Sequence, residues 1–348
     1  MRKIKYLLLL IIEILIVRSS IFAQYRIDTL GGDFLQKSIE MPDDYEGKVN
    51  ITLIRKTSGL GSWDAVLYIH GFNDYFFQTE TADFFTEEGF NFYAVDLRKY
   101  GRSWQKHQKR GNVRKLSEYF ADIDSAIYHI KSEGNRSLLL LGHSTGGLIA
   151  SLYLDQLDRQ QSPDTAFIKG LILNSPFLDM NMTWIKEKIG VPIIAATGII
   201  TPNWRIPLKD EGMYGKSIHQ KYKGEWDYDL KWKPLNLPIT AGWVKAIYAG
   251  HRKIKKGLHI SQPILVLHAT QSVYHTKWND EMKTGDAVLD VNDINKYASK
   301  LGNNVEIAAI QDGIHDLALS QTKARGYYYK EIDQWIKKNI KIPSLFEY

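Results

Sequence analysis

The sequence has no cysteine among its 348 residues. Disulfide bonds, thiolate zinc sites, iron–sulfur clusters and a cysteine nucleophile are therefore excluded. The sequence also has no internal repeat and no low-complexity tract. Hydrophobic residues make up 44% of the chain and charged residues 24%. This composition excludes a disordered, fibrous or multi-span membrane protein and leaves enough apolar material for a large core.

A hydrophobic run long enough to span a bilayer is missing as well. The apolar stretch 6–17 has twelve residues, whereas a spanning helix needs about 20. Three basic residues precede this stretch, and the small Ala23 follows it where a signal peptidase would cut. We therefore expect residues 1–23 to be a cleaved signal peptide and the mature protein to be exported, periplasmic or secreted. Glu13 and Ile21 fit this pattern poorly, which leaves an N-terminal membrane anchor or an ordinary buried helix as alternatives.

Positive charge is not concentrated in a module that binds nucleic acid. The formal net charge is +6, and it falls to +3 when residues 1–23 are removed. The sequence has no zinc-finger, helix-turn-helix or RNP-type pattern, so we do not expect a nucleic-acid partner. It does not identify a protein partner.

Short apolar runs of strand type alternate with helical patterns along most of the chain. Such runs are typical of strands buried on both faces of a parallel sheet. The expected strands are 65–69, 90–95, 137–141, 171–173, 263–267 and 305–310, and the expected helices are 78–88, 115–132, 147–158 and 320–338. This alternation predicts an α/β fold with a mostly parallel, doubly wound sheet.

The alternation breaks between residues 180 and 260, where five prolines and scattered helical pieces replace the strands. We therefore expect an insertion at 180–260 between two parts of one α/β body, residues 24–179 and 261–348. The insertion holds five of the nine tryptophans, and its 14 Lys and Arg residues outnumber its six Asp and Glu residues. The tryptophans could line a pocket or fix the insertion to the body, and the lysines could attract lipid head groups or form a solvated face.

A G-x-S-x-G motif at 142–146 carries the strongest chemical signal. It directly follows an apolar strand and directly precedes a helix, which is the context of a nucleophile elbow. Ser144 would occupy a strained turn at a helix N-terminus, where unpaired N–H groups favour developing negative charge. A glycine-rich helix start without a function is the alternative.

A serine nucleophile needs a base and an orienting acid, which follow it in the order Ser, acid, His in this kind of motif. We predict His315 as the base because it lies in the loop between the last strand and the last helix. His268 and His275 are its rivals. We predict Asp286 as the acid, with Asp290 as the alternative; Asp290 could instead cap the next helix.

Two backbone N–H groups should stabilise the oxyanion of such a site. One would come from Thr145, the residue after the nucleophile. The other would come from Phe72, in the loop after the strand at 65–69. Asp316 and His70, each next to a predicted site residue or loop, are expected to be structural, with His70 fixing the loop rather than acting in catalysis.

These motifs together resemble the α/β-hydrolase superfamily, and within it the branch of monoglyceride lipases, lysophospholipases and serine aminopeptidases. The matching segments are 70–72, 96–103, 142–146, the Asp286 loop and 313–316. The resemblance implies Ser144, Asp286 and His315 as a catalytic triad, Phe72 and Thr145 as oxyanion donors, and the insertion 180–260 as a mainly helical cap. It implies no metal and no cofactor. Arg98 and Lys99 make the 96–103 segment more basic than in monoglyceride lipases, which puts the substrate in question but not the chemistry.

The expected function is therefore hydrolysis of carboxylic esters in lipid-like or other hydrophobic substrates, such as a monoacylglycerol or a lysophospholipid, through an acyl-enzyme. Trp184, Trp204 and Trp243 are candidate substrate-binding residues, and the basic cap could contact a membrane surface. A serine aminopeptidase is the second possibility; it would need a carboxylate cluster in the cap, for which 210–211 and 225–229 offer candidates. A protein that binds a hydrophobic ligand without turnover is a third.

Overall fold

The computed structural model describes residues 24–59, 61–182, 185–207, 212–275 and 277–340. The expected signal peptide, residues 1–23, and the candidate substrate-binding residue Trp184 lie outside the described residues. Within the described part of the chain, no helix combines the length and the apolar character needed to cross a membrane.

One sheet of nine strands organises the described residues. Its strands are β1 (Arg26–Ile27), β2 (Leu35–Asp44), β3 (Gly47–Lys56), β4 (Asp64–Ile69), β5 (Asn91–Asp96), β6 (Ser137–His143), β7 (Ile168–Asn174), β8 (Ile264–Ala269) and β9 (Val305–Ile310). They lie in the order β1-β2-β3-β5-β4-β6-β7-β8-β9. The first three strands and β5 pair antiparallel, and the pairs from β5 onward are parallel.

Helices cover both faces of this sheet, as in a doubly wound fold. They are α1 (Thr79–Glu87), α2 (Glu118–Ser132), α3 (Thr145–Arg159), α4 (Asp164–Phe167), α5 (Val191–Ile200), α6 (Met213–Ile218), α7 (Ala241–Lys256), α8 (Val291–Ala298) and α9 (Thr322–Asn339). Apolar side chains of α2, α3, α7 and α8 pack on one face of the sheet. Those of α1 and α9 pack on the other face.

The central strands are buried because their sequences are apolar on both faces. Residues 138–141 of β6 are at most 1% exposed, and alternate residues contribute to the two opposite cores. The parallel register brings the carboxyl ends of β4, β6 and β7 to one edge of the sheet, where Ile69 pairs with Gly142 and His143 pairs with Asn174. Loops that leave this edge can therefore meet.

The mostly parallel α/β sheet expected from the sequence is confirmed. The six expected strands and four expected helices are present with small changes of their ends. The antiparallel hairpin of β2 and β3 was not predicted, although β3 alternates apolar and polar residues. Polar residues interrupt β2, which lies near the sheet edge, so its sequence lacks the continuous apolar run of the central strands.

The segment 180–260, which we expect to be an insertion, lies between β7 and β8 along the chain. Its described part contains α5, α6, α7 and connecting loops, and contributes no strand to the sheet. Helix α7 packs against α5 and places Trp243, Val244 and Ile247 in the core beside α2 and α3. The Thr240 side chain caps α7 by accepting a hydrogen bond from the Trp243 N–H.

Candidate active site

Ser144 occupies a sharp turn between β6 and α3. Its backbone has φ 53° and ψ −119°, a conformation that side-chain-bearing residues rarely adopt. The turn fits only because its neighbours are glycines: a Cβ on Gly142 would lie 2.7 Å from the Cα of Gly147. Backbone hydrogen bonds to Asn174 and from Phe177 hold the turn on β7. The strand, turn and helix expected around the G-x-S-x-G motif are therefore present.

A chain of hydrogen bonds joins Ser144, His315 and Asp286. His315 Nε2 lies 2.9 Å from Ser144 Oγ, and His315 Nδ1 lies 3.0 Å from Asp286 Oδ2. A carboxylate can only accept, so Nδ1 carries the proton and Nε2 is left to accept from the serine hydroxyl. Side-chain exposure is 4% for His315 and zero for Asp286. The structure thus brings together the three residues chosen from sequence order.

Backbone groups fix the orientation of Asp286. Its Oδ1 accepts hydrogen bonds from the N–H groups of Val288 and Leu289, both at 2.8 Å, which leaves Oδ2 for His315. The alternative acid, Asp290, instead caps α8 by accepting from the Asn292 N–H. Asp290 therefore has the helix-capping role that the sequence suggested as the alternative to a catalytic role.

The rival histidines have other partners. His268 contacts the Ala269 carbonyl and the Asn295 side chain. His275 is paired with Glu281 at the surface. His70 accepts from the Leu97 N–H through Nε2 and therefore donates to the Gly71 carbonyl through Nδ1, at 2.7 Å. Burial lowers the pKa of His70, which favours this neutral form. His70 fixes the loop after β4.

That loop approaches the nucleophile closely. A Cβ on Gly71 would lie 3.0 Å from Ser144 Cβ, so only glycine leaves the present spacing undisturbed. Phe72 follows Gly71, and Thr145 is the first residue of α3. Both line the cavity at Ser144. The two residues expected to supply oxyanion donors therefore flank Ser144.

A cavity of about 760 Å³ opens at Ser144 between the sheet body and the insertion. Its lining is mostly apolar and includes Phe177 and Leu289 from the body and Val191, Ile194 and Trp243 from the insertion. The Trp243 and Phe72 rings pack with their centroids 4.6 Å apart. Trp204 is 46% exposed and lies outside the described lining. Of the tryptophan candidates in the described part of the chain, the structure brings Trp243 to the site.

A family model described as serine aminopeptidase, S33 matches residues 63–277, more than half of the chain. The chain belongs to this family. No curated protein matches the chain significantly. The family is part of the α/β-hydrolase branch that the sequence motifs resemble, so that resemblance is confirmed.

Solved structures of low sequence identity share the fold of this S33 family member. A soluble variant of monoglyceride lipase from Saccharomyces cerevisiae, in complex with a substrate analogue, is 17% identical, with a TM-score of 0.63 over 87% of this chain and 96% of that chain. Monoacylglycerol lipase from Paleococcus ferrophilus is also 17% identical, with a TM-score of 0.58 over 87% and 99% of the two chains. Est1E from Butyrivibrio proteoclasticus, with ferulic acid bound, is 15% identical, with a TM-score of 0.53 over the same shares. At such identities the likeness shows the α/β-hydrolase fold.

A second group of titratable residues lies behind the site of this S33 family member and was not predicted from the sequence. We call it the elbow cluster, and it comprises Asp74, His143, Lys233 and Asp316. The Lys233 ammonium lies 2.8 Å from Asp74 Oδ1. His143 Nδ1 lies 3.5 Å from Asp74 Oδ2 and 4.0 Å from Asp316 Oδ2. All four side chains are at most 8% exposed.

Opposite charges account for this burial. Burial alone would raise the pKa of Asp74, but Lys233 and His143 hold it below its usual value. Burial likewise disfavours charged His143, yet Asp316 and Asp74 raise its pKa. Asp74, His143 and Asp316 also lie close enough together to share a metal ion. Because the Lys233 ammonium already supplies positive charge to Asp74, the arrangement is better described as an ion-pair cluster.

Arg98 and Lys99, the two basic residues noted in the 96–103 segment, form ion pairs within the α/β body. Arg98 contacts Asp122 at 2.6 Å, and Lys99 contacts Asp44 at 2.7 Å and Glu46 at 3.1 Å. Lys99 is fully buried. Neither residue belongs to the described lining of the cavity. Their charges are instead balanced by acidic partners within the body.

Proposed function

We propose that the chain is a serine hydrolase that cleaves carboxylic esters of hydrophobic, lipid-like acids. One observation carries this proposal: the hydrogen-bonded chain of Ser144, His315 and Asp286 opens into a large, mostly apolar cavity. A serine activated by a histidine is the arrangement that acyl transfer requires. Membership of a hydrolase family supports the same reaction class.

In the acylation step, Ser144 Oγ attacks the ester carbonyl carbon while His315 Nε2 takes the hydroxyl proton. The carbonyl oxygen becomes an oxyanion and accepts hydrogen bonds from the N–H groups of Phe72 and Thr145. Asp286 stabilises the imidazolium through Nδ1. The intermediate then collapses: the bond to the alcohol oxygen breaks, and His315 donates its proton to that oxygen.

In the deacylation step, water takes the place of the departed alcohol. His315 accepts a proton from water as the water oxygen attacks the acyl carbon. The second tetrahedral intermediate uses the same N–H donors. Its collapse breaks the bond to Ser144 Oγ, which regains the proton from His315. The products are one alcohol and one carboxylic acid for each ester consumed.

The cavity favours an apolar acyl chain. A volume of about 760 Å³ is within the range of sites that enclose a small-molecule ligand. Monoacylglycerols and lysophospholipids combine such a chain with a polar head, and we propose them as the substrate class. The structural neighbours include two monoacylglycerol lipases, which supports this choice.

The same lining weighs against the aminopeptidase alternative. Recognition of a substrate ammonium calls for a carboxylate facing the cavity. The described lining has no Asp or Glu, whereas Lys186 and Lys233 both line it. Residues 210–211, one of the candidate acidic pairs, lie outside the described residues. Asp229, in the other candidate cluster, donates its N–H to Tyr75 and accepts from the Lys231 N–H.

We further propose that the insertion acts as a cap that meets lipid surfaces. Helix α5 presents Ile193, Ile199 and Ile200 to solvent, with exposures of 62%, 72% and 83%. Exposed lysines at 186 and 188 precede this helix. An apolar surface flanked by cations suits an anionic membrane. Flotation with anionic and with neutral vesicles tests this: Ile199→Ser with Ile200→Ser should weaken binding to anionic vesicles, and equal binding of both proteins would contradict it.

Export remains a proposal that rests on residues 1–23 alone. Expression of the full chain, followed by N-terminal sequencing of the product, should give a mature protein that begins near Gln24. An intact N-terminus in the membrane fraction would indicate the anchor instead.

A fluorophosphonate probe tests the serine-hydrolase proposal directly. Wild type should be labelled, and Ser144→Ala should not. Absence of labelling in wild type would favour the non-catalytic ligand-binding alternative, and equal labelling of both would contradict the assignment of Ser144. A panel of nitrophenyl esters, monoacylglycerol, lysophospholipid and aminoacyl amides then tests the substrate class. Fastest turnover of the amides would contradict an ester preference.

A further inference from the structure

The loop that follows Gly71 is held by the insertion at four consecutive residues. Each side chain of the segment 72–75 contacts a different residue of the insertion, by ring packing, hydrogen bond or ion pair. The contacting pairs are Phe72 with Trp243, Asn73 with Pro234, Asp74 with Lys233 and Tyr75 with Asp229. The position of the loop beside Ser144 therefore depends on how the insertion is seated.

We propose that Lys233 is a positioning residue that, through Asp74, holds the Phe72 N–H at the oxyanion and so makes catalysis depend on the seated insertion. The inference rests on the proposed function for the part played by Phe72. Among the four contacts, the one between Lys233 and Asp74 is an ion pair, and Lys233 is buried with its ammonium 2.8 Å from Asp74 Oδ1. Separating two buried opposite charges is costly, so Lys233 keeps the Asp74 carboxylate close to it.

The same ion pair reaches the loops that carry Ser144 and His315. Asp74 faces His143, which immediately precedes Ser144. His143 faces Asp316, which immediately follows His315, and the His143 and His315 rings have their centroids 5.1 Å apart. The loops that carry Phe72, Ser144 and His315 thus each contribute one residue to the elbow cluster. Lys233 is the member that comes from the insertion.

Loss of this anchor should affect the transition state more than the bound substrate. The Phe72 N–H matters most when the oxyanion forms, whereas the acyl chain is held by the apolar lining. We therefore expect Lys233→Met to lower kcat by about 10- to 100-fold, less than the full loss of an oxyanion donor, with KM changed by no more than about twofold. Lys233→Arg, which keeps the charge, should restore most of the rate.

The matched control is Lys231→Met. Lys231 lies two residues away in the same loop, and its side chain is exposed. This variant should leave kcat and KM unchanged. All variants are compared by nitrophenyl ester hydrolysis at equal concentrations of folded protein, with folding checked by thermal melting. The inhibition constant of a trifluoromethyl ketone, which forms an oxyanion at Ser144, should rise in Lys233→Met by the same factor by which kcat/KM falls.

A double variant, Lys233→Met with Asp74→Asn, separates positioning from simple instability. The double variant leaves no unpaired carboxylate at position 74, so it should fold even if Lys233→Met does not. Because it still lacks the ion pair between the insertion and the loop, its kcat should stay low. Recovery of wild-type kcat in the double variant would overturn the proposal, as would an unchanged kcat in Lys233→Met. A higher KM at constant kcat would show instead that Lys233 binds substrate.

Failure of the proposed function can be distinguished from failure of the inference about Lys233. If wild type hydrolysed no ester of the panel, the substrate proposal would fail, and the rate of fluorophosphonate labelling would carry the comparison of the variants. Phosphonylation also develops negative charge on oxygen at Ser144. Slower labelling of Lys233→Met than of Lys231→Met would still support the inference, and equal rates would refute it.

Discussion

Asp286→Asn should almost abolish turnover without disturbing the fold. In the native site, Asp286 Oδ1 accepts from two backbone N–H groups, and Oδ2 accepts from His315 Nδ1. An asparagine has one oxygen and one amide nitrogen. Because the two backbone donors require an acceptor, the oxygen must stay with them and the NH2 group must face His315.

That orientation selects the His315 tautomer that cannot accept a proton from Ser144. The NH2 group needs an acceptor, so His315 Nδ1 must lose its proton and Nε2 must carry it. Nε2 then points an N–H at Ser144 and can no longer take the hydroxyl proton. In a serine protease the same change lowers kcat by about 10⁴-fold, which corresponds to about 5 kcal/mol of transition-state stabilisation. We expect a loss of that order here.

The assay is steady-state hydrolysis of a nitrophenyl ester, with Asp290→Asn as the matched control. Asn caps a helix about as well as Asp, so the control should keep both its stability and its kcat. A thermal melt of Asp286→Asn should lie close to that of wild type. Turnover of Asp286→Asn within about tenfold of wild type, or a large loss in Asp290→Asn, would refute the tautomer argument.

Three further predictions test the spacing at Ser144 and the stability of the fold. Gly71→Ala places a Cβ 3.0 Å from Ser144 Cβ; ester hydrolysis should show kcat reduced by about tenfold or more, and an unchanged kcat would contradict the tight spacing. Arg98→Met leaves Asp122 buried without its partner, which should cost about 3–5 kcal/mol in denaturant unfolding while kcat per folded molecule stays constant. Burial lowers the pKa of His251, in α7, to about 4, so the unfolded chain binds the proton first as the pH falls below about 6.5; His251 should contribute about 2 kcal/mol to the loss of stability between pH 7 and pH 5, and His251→Gln should reduce the loss by about that amount. An equal drop in the variant would contradict this assignment.

The α/β body could be predicted because its central strands and helices have recognisable local sequence patterns. The run 137–141 is apolar on both faces, as a strand at the centre of a parallel sheet has to be. The hairpin of β2 and β3 was not predicted because polar residues interrupt the apolar run of β2. Asp44 and Glu46, near its turn, are polar for a further reason that only the fold reveals: both pair with the buried Lys99.

The candidate site was predictable in part for a similar reason. Ser144 stands in a local motif, and chain order restricts the choice of His315 and Asp286. The elbow cluster has no such local pattern, because it joins residues from four separate parts of the chain. His143 stands inside the G-x-S-x-G motif, and Asp74 and Asp316 each closely follow a predicted site residue; this proximity was the signal in the sequence. Lys233 could not be distinguished from the other lysines of the insertion until its burial was known.

The contrast between Trp204 and Trp243 shows the same limit of prediction from the sequence. Both lie in the insertion and both were candidates for the pocket. Trp243 is 6% exposed and packs on Phe72, whereas Trp204 is 46% exposed. A tryptophan-rich segment indicates a contact surface, but which side chain faces the cavity depends on the helix phase and on the neighbouring loops.

The central claim is that an acyl group passes through Ser144. The most direct measurement is mass spectrometry of the protein quenched with acid during steady-state hydrolysis of a nitrophenyl ester, followed by peptide mapping. The account predicts a mass increase equal to one acyl group, located on the peptide that contains Ser144 and absent from Ser144→Ala. Acylation of another residue, or hydrolysis by Ser144→Ala at the wild-type rate, would contradict it.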